Sequence, residues 1–204
     1  MIGVYNYTVI LTYIGMIFGL CGVISSFSGN IMPAIIFLML SAVCDMFDGK
    51  IARTMKRTKQ EKRFGIQIDS LSDFLCFGVL PAMIGYNIGM KEWYFFPAII
   101  YYVLAALIRL AYYNVMEEER QDKTEKDIEM CTGLPVPPSA FIFPVIYLIC
   151  KIFSFEVEWV YTAVMLIVAT LFIKRFSIKK LQLKGLLVMI VLGLGVLAFL
   201  FMFY

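Results

Sequence analysis

Two apolar runs in this chain, Ile31 to Cys44 and Phe74 to Ile88, are too short to cross a bilayer, and each can be completed only by carrying its helix through a pair of aspartates. A spanning helix needs about 20 apolar residues, so the first run must extend forward through Asp45 and Asp48 and the second backward through Asp73 and Asp69. Helical periodicity then groups the residues. Asp45, Asp48, Gly49, Ala52 and Arg53 fall at i, i+3, i+4, i+7 and i+8, a single face, and Gly65, Asp69 and Asp73 fall at i, i+4 and i+8 on the following helix. Consecutive spans run antiparallel, which puts four carboxylates at one depth. An aspartate at the bilayer centre costs roughly 3 kcal/mol, and two like charges about 4 Å apart repel by roughly 4 kcal/mol at an effective dielectric of 20. A cation has to hold such a group together.

The rest of the chain supports the membrane reading: 61% of its 204 residues are hydrophobic and only 16% are charged. The expected fold is all-α, a polytopic transmembrane helical bundle forming a single domain over residues 1–204. Its spans are Val4 to Ser26, Ile31 to Ile51, Ile66 to Ile88, Tyr94 to Val115, Pro137 to Phe153, Val157 to Ile173 and Leu183 to Phe203. Seven is the count, with six or eight as alternatives because the fifth and sixth are short. The first reads as a retained span and not as a cleaved leader. Of the 18 lysines and arginines, all but Lys91, Lys151 and Arg109 lie in loops on one side, which makes that side cytoplasmic and places the aspartates at the cytoplasmic face of the cell membrane. The acidic stretch Glu117 to Glu129 reads as a solvated connection, and Gly133-Leu134-Pro135-Val136-Pro137-Pro138 as a structured break before the next span.

Histidine is absent, so acid–base or metal chemistry falls to carboxylates, lysine, tyrosine or cysteine. The five cysteines, at 21, 44, 76, 131 and 150, have no CxxC spacing and read as packing residues. The aspartates then have two readings. They could cap or pair with the basic loop Arg53 to Arg63, or they could form a binuclear divalent site, since oxygen ligands suit Mg²⁺ or Mn²⁺ and two ions neutralise four charges. Gly49, Ala52 and Gly65 would equally suit close helix packing. Set between metal-binding aspartates, and with the forked donors of Arg53 beside them, they favour a bulky phosphate ligand at head-group depth, the diphosphate of a nucleotide-activated lipid. A cation transporter is the competing class, but it predicts broken helices or repeated halves, and neither is present in the sequence. A chain this apolar is not read as a nucleic-acid binder.

Asp45, Asp48, Gly49, Ala52, Arg53, Gly65, Asp69 and Asp73 match the pattern D-x2-D-G-x2-A-R, spacer, G-x3-D-x3-D. In this the chain resembles the CDP-alcohol phosphatidyltransferases. Its spacer, residues 54–64, is longer than the eight residues of many members. A finer resemblance, to the phosphatidylserine synthase branch, is carried by Phe64-Gly65-Ile66-Gln67-Ile68-Asp69-Ser70-Leu71-Ser72-Asp73, Phe77-Gly78, Pro81-Ala82, Arg109-Leu110-Ala111-Tyr112-Tyr113-Asn114-Val115 and the Gly133–Pro137 break. Thr12 and Gly19 match in the first span, where Gly15 stands in place of a common asparagine. The likeness runs from about Thr12 to Ala140, with additional spans at about 157–203.

The resemblance implies an enzyme that moves a phosphatidyl group, or its archaeal ether-lipid equivalent, from a CDP-lipid to the hydroxyl of L-serine and releases CMP. Asp45, Asp48, Asp69 and Asp73 would hold two Mg²⁺ or Mn²⁺ ions, Asp73 would be the base, and Asp48, Gly49, Ala52, Arg53 and Gly65 would line the CDP-lipid site. Arg109, about 9 Å of helix from the end of its span, is the candidate for the serine carboxylate, assisted by Asn114, with Thr132 and Ser139 as weaker candidates. Pairing of Arg109 with one of the aspartates is the alternative. Glycerol 3-phosphate or an inositol phosphate are alternative acceptors, and a homodimer in contact with membrane lipid is implied.

Overall fold

A computed structural model describes residues 3–52, 54–55, 57–123 and 130–179, together with residue 195. Helix α1, Tyr7–Phe27, starts where the Asn6 side chain accepts from the Thr8 amide at 3.2 Å, and a left-handed Gly29 (φ +77) turns the chain into α2, Ile31–Ala52. Helix α3, Lys59–Asp73, continues through a wider π turn, Phe74–Val79, into α4, Leu80–Ile88. A short 3₁₀ turn, Trp93–Phe95, leads to α5, Phe96–Lys123. Helices α6, Ser139–Phe153, and α7, Val157–Ile173, follow, joined through a left-handed Ser154.

Four of these helical stretches are long and apolar enough to cross a membrane: Tyr7–Phe27, Ile31–Ala52, Lys59–Ile88 and Trp93–Arg120. Helices α6 and α7 are shorter apolar helices of 15 and 17 residues. The span expected at Leu183 to Phe203 lies outside the described residues, apart from residue 195.

Three expectations need correction. The spacer is a loop only as far as Thr58, which caps α3. Its Oγ1 accepts from the Glu61 amide at 3.2 Å while Glu61 Oε2 accepts from the Thr58 amide at 2.8 Å, a reciprocal box that starts the helix at Lys59. The acidic stretch from Glu117 is helical as far as Lys123, so α5 runs well past its expected end at Val115. Among the described residues the all-helical fold carries one exception, an antiparallel ribbon of β1, Met130–Thr132, with β2, Ser177–Lys179, which ties the break before α6 to the segment after α7.

Packing between α1 and its neighbours depends on small residues. A Cβ at Gly15 would lie 3.1 Å from that of Cys44 on α2, and one at Gly22 would lie 2.6 Å from Leu80 Cδ2 and 3.2 Å from Phe37 Cβ. Glycine at i and i+7 thus lets α1 seat against both α2 and the α3–α4 helix. On the other side of that helix, the π turn leaves the Phe77 carbonyl available to its neighbours. The fully buried Tyr102 of α5 donates to it at 2.6 Å and Ser139 of α6 at 3.3 Å, while Tyr161 of α7 donates to Pro81 O at 3.0 Å. Buried hydroxyls that find partners cost little. These three bonds fix the C-terminal half of the long helix against α5, α6 and α7.

Candidate active site

The last turns of α2 and the body of α3 bring the aspartates together. Asp45, Asp48 and Asp69 each present an oxygen, and the three atoms lie within 4.8 Å of one another. Asp73 completes the group. It lies one helical turn beyond Asp69 on the same face of α3, close enough to Asp45, Asp48 and Asp69 to interact with all three electrostatically. Asp48 and Asp73 are buried, and Asp45 and Asp69 half-buried.

A third helix contributes a residue that periodicity did not single out. Thr12 on α1 donates from Oγ1 to Asp48 Oδ2 at 3.1 Å, with both side chains buried, and its backbone carbonyl accepts from Ser72 Oγ of α3 at 3.5 Å. Thr12 therefore orients Asp48 and joins three helices at one point. The sequence offered only its match to a family position, because a contact between helices 36 residues apart leaves no mark in local pattern.

Of the residues expected to line the nucleotide, Gly49 differs in kind from the glycines of α1. Among the described residues no atom lies within 4 Å of where its Cβ would stand, so helix packing does not explain it. Gly65 has one such neighbour, Arg57 Nη1, at 3.1 Å. Ala52 is half-buried at the end of α2. Arg53 lies outside the described residues.

The two residues expected to hold serine are engaged in different places. Arg109 is buried on α5, donates from Nε to Leu134 O at 3.1 Å and lies over the Tyr113 ring, so it is anchored at the Gly-Leu-Pro break. Asn114 accepts from Ser70 Oγ and donates to Gln67 Oε1 at 3.2 Å, which fastens it to α3 beside Asp69. Five residues separate them, about 140° around a helix. Ser139 is committed to Phe77 O, and Thr132 stands in β1, its side chain outside the described residues.

The family model for CDP-alcohol phosphatidyltransferase matches residues 5–173. The chain belongs to the CDP-alcohol phosphatidyltransferase family. The match extends beyond the Thr12 to Ala140 region to the end of α7. Three relatives sharpen the likeness. A CDP-diacylglycerol–serine O-phosphatidyltransferase of Saccharomyces cerevisiae is 31% identical over 122 residues, 59% of this chain and 43% of that protein. An archaetidylserine synthase of Methanothermobacter thermautotrophicus is 31% identical over 134 residues, 64% of this chain and 52% of that one. A CDP-diacylglycerol–serine O-phosphatidyltransferase of Bacillus subtilis is 27% identical over 135 residues, 65% of this chain and 70% of that one. The chain thus spans about half the length of several curated relatives it matches.

Members of this phosphatidyltransferase family generally use divalent cations, and the donor set fits one. It is made of oxygen alone, which suits a hard cation. At metal–oxygen distances of about 2.1 Å the ligands of a six-coordinate Mg²⁺ stand roughly 3–4 Å apart. A small rotamer adjustment takes the oxygens of Asp45, Asp48 and Asp69, now within 4.8 Å, to that spacing.

Proposed function

We propose that this protein is a membrane-embedded phosphatidylserine synthase-type enzyme, moving the phosphatidyl group of a CDP-lipid onto the hydroxyl of L-serine with release of CMP. The observation that carries the reading is the convergence of the carboxylates of Asp45, Asp48 and Asp69 on two adjacent helices, with Asp73 against Asp45. The activities for which the relatives are named favour serine as the acceptor, and the archaeal one extends the donor to ether lipids. In this reading the shorter apolar helices α6 and α7 also cross the membrane. The protein works as a homodimer in the cell membrane with the aspartates at the cytoplasmic face.

Asp45, Asp48, Asp69 and Asp73 hold two Mg²⁺ or Mn²⁺ ions, whose charge, when bound, neutralises the CDP diphosphate and the phosphoryl oxygens of the transition state. Gly49 leaves the backbone of α2 open to the nucleotide and Gly65 leaves that of α3 without a side chain, and the motif residues Ala52 and Arg53 contribute to the same CDP-lipid site. Asp73 takes the proton of the serine hydroxyl. The serine oxygen forms its bond to the lipid-linked phosphorus as the bond from that phosphorus to the CMP oxygen breaks, and CMP leaves with the electron pair. A serine hydroxyl is a weak nucleophile at neutral pH, so a base within hydrogen-bond reach is required. Arg109 offers a charge-assisted donor to the serine carboxylate. Asn114, fastened to α3 by Ser70 and Gln67, assists from the side of the aspartates.

The test is CMP release from CDP-diacylglycerol and its ether analogue by the detergent-solubilised chain with Mg²⁺ or Mn²⁺, using L-serine, glycerol 3-phosphate or an inositol phosphate as acceptor. Serine-dependent release is expected. Release with a phosphorylated acceptor and none with serine would move the assignment within the family.

A further inference from the structure

We infer that Arg57, in the spacer between the two halves of the motif, binds the diphosphate of the CDP-lipid donor. The inference rests on the reading of the aspartate cluster as a donor site. Arg57 leaves the chain one residue before the Thr58 cap, in an extended stretch whose direction is fixed by the reciprocal Thr58–Glu61 bonds. From there its Nη1 reaches to 3.1 Å from where a Gly65 Cβ would stand. A Cβ at position 65 would press on Nη1 and shift it by a few tenths of an ångström, so one end of the guanidinium stands close over the bare backbone of α3 at Gly65. Gly65, Asp69 and Asp73 share one helical face, with the aspartates about 6 and 12 Å further along the axis. The cation is therefore at the mouth of the carboxylate layer, on the side where phosphate must enter.

The charges around it leave Arg57 fit for that role. Among the described residues, Glu61 is an acid close enough to interact with it electrostatically. The oxygens of Glu61 are already occupied: Oε2 accepts from the Thr58 amide at 2.8 Å and from Thr58 Oγ1 at 2.9 Å, and Oε1 accepts from Asn6 Nδ2 at 3.2 Å. A planar fork of donors over a glycine matches the paired oxygens of a diphosphate, which a lysine ammonium does less well.

The experiment uses the detergent-solubilised full chain. Binding of CDP in the presence of Mn²⁺ is measured by calorimetry for wild type, Arg57→Ala and Arg57→Lys, alongside KM for CDP-diacylglycerol and for serine and the thermal unfolding midpoint. Loss of a charge-assisted bond of about 1.5 kcal/mol predicts CDP binding and the donor KM about tenfold weaker in Arg57→Ala. Arg57→Lys should recover part of the loss, with the serine KM and the unfolding midpoint unchanged. CDP affinity and donor KM within twofold of wild type in a folded Arg57→Ala protein overturn the inference while the proposed reaction stands. A wild-type chain that binds no CDP overturns both. Equal loss of donor and serine KM with a lowered unfolding midpoint reassigns Arg57 to structure, and overturns it too.

Discussion

Replacing Thr12 with valine removes one hydroxyl and almost no volume, and it isolates what α1 contributes to the aspartate cluster. The Oγ1 atom donates to Asp48 Oδ2 at 3.1 Å in a buried setting. A hydrogen bond to a charged group is worth about 1.5–3 kcal/mol, which at 1.4 kcal/mol per decade is about a 10- to 100-fold effect. The same range is typical when a partner that orients a metal ligand is removed. Because valine keeps the backbone carbonyl that accepts from Ser72, the contact of α1 with α3 survives. The loss should therefore appear in how tightly the cluster holds its cation and not in folding. The assay is the Mg²⁺ or Mn²⁺ concentration giving half-maximal CMP release, with the unfolding midpoint as control. Thr12→Val should raise it about 10- to 100-fold, and Thr12→Ser should stay near wild type. A Thr12→Val enzyme with a wild-type metal midpoint would refute the claim that this hydroxyl orients Asp48.

Asp73→Asn should abolish serine-dependent CMP release while calorimetry still detects CDP binding; retained turnover would take the base assignment away from Asp73. The two kinds of glycine should separate. Gly49→Ala, which meets no neighbour among the described residues, should leave the unfolding midpoint unchanged or raised, consistent with about 0.5–1 kcal/mol of helix preference, yet raise the donor KM; Gly22→Val, pressed against Leu80 and Phe37, should lower the midpoint by an overpacking cost of about 1–3 kcal/mol. Tyr102→Phe removes the 2.6 Å bond to Phe77 O but leaves Ser139 on that carbonyl, so urea unfolding should show a loss of about 0.5–1.5 kcal/mol with the donor KM unchanged.

The carboxylate faces were legible because helical period alone aligns Asp45 with Asp48 and Asp69 with Asp73, and the short apolar runs forced the helices through them. The α2 and α7 boundaries followed from hydropathy, with α7 bounded at Val157 and Ile173 as expected. The start of α3 was also written in the sequence, as Thr58 followed three residues later by Glu61, but the density of positive charge there reads as loop and obscures it. What could not be read was anything made across helices. Thr12 on Asp48 and Asn114 on Ser70 each depend on how two helix surfaces meet. The β ribbon escaped notice because three-residue strands carry too few residues for alternation to register.

The widened turn at Phe74–Val79 has a consequence for the long helix that carries it. One added residue in a period of 3.6 advances the helical phase by about 100°. The two halves of a continuous thirty-residue rod, Lys59–Ile88, are thereby set to different azimuths. The N-terminal half can aim Asp69 and Asp73 at α2 while the C-terminal half turns the Phe77 and Pro81 carbonyls toward α5, α6 and α7. Deleting a single residue from the turn would leave both faces chemically intact and no longer pointing at their respective neighbours.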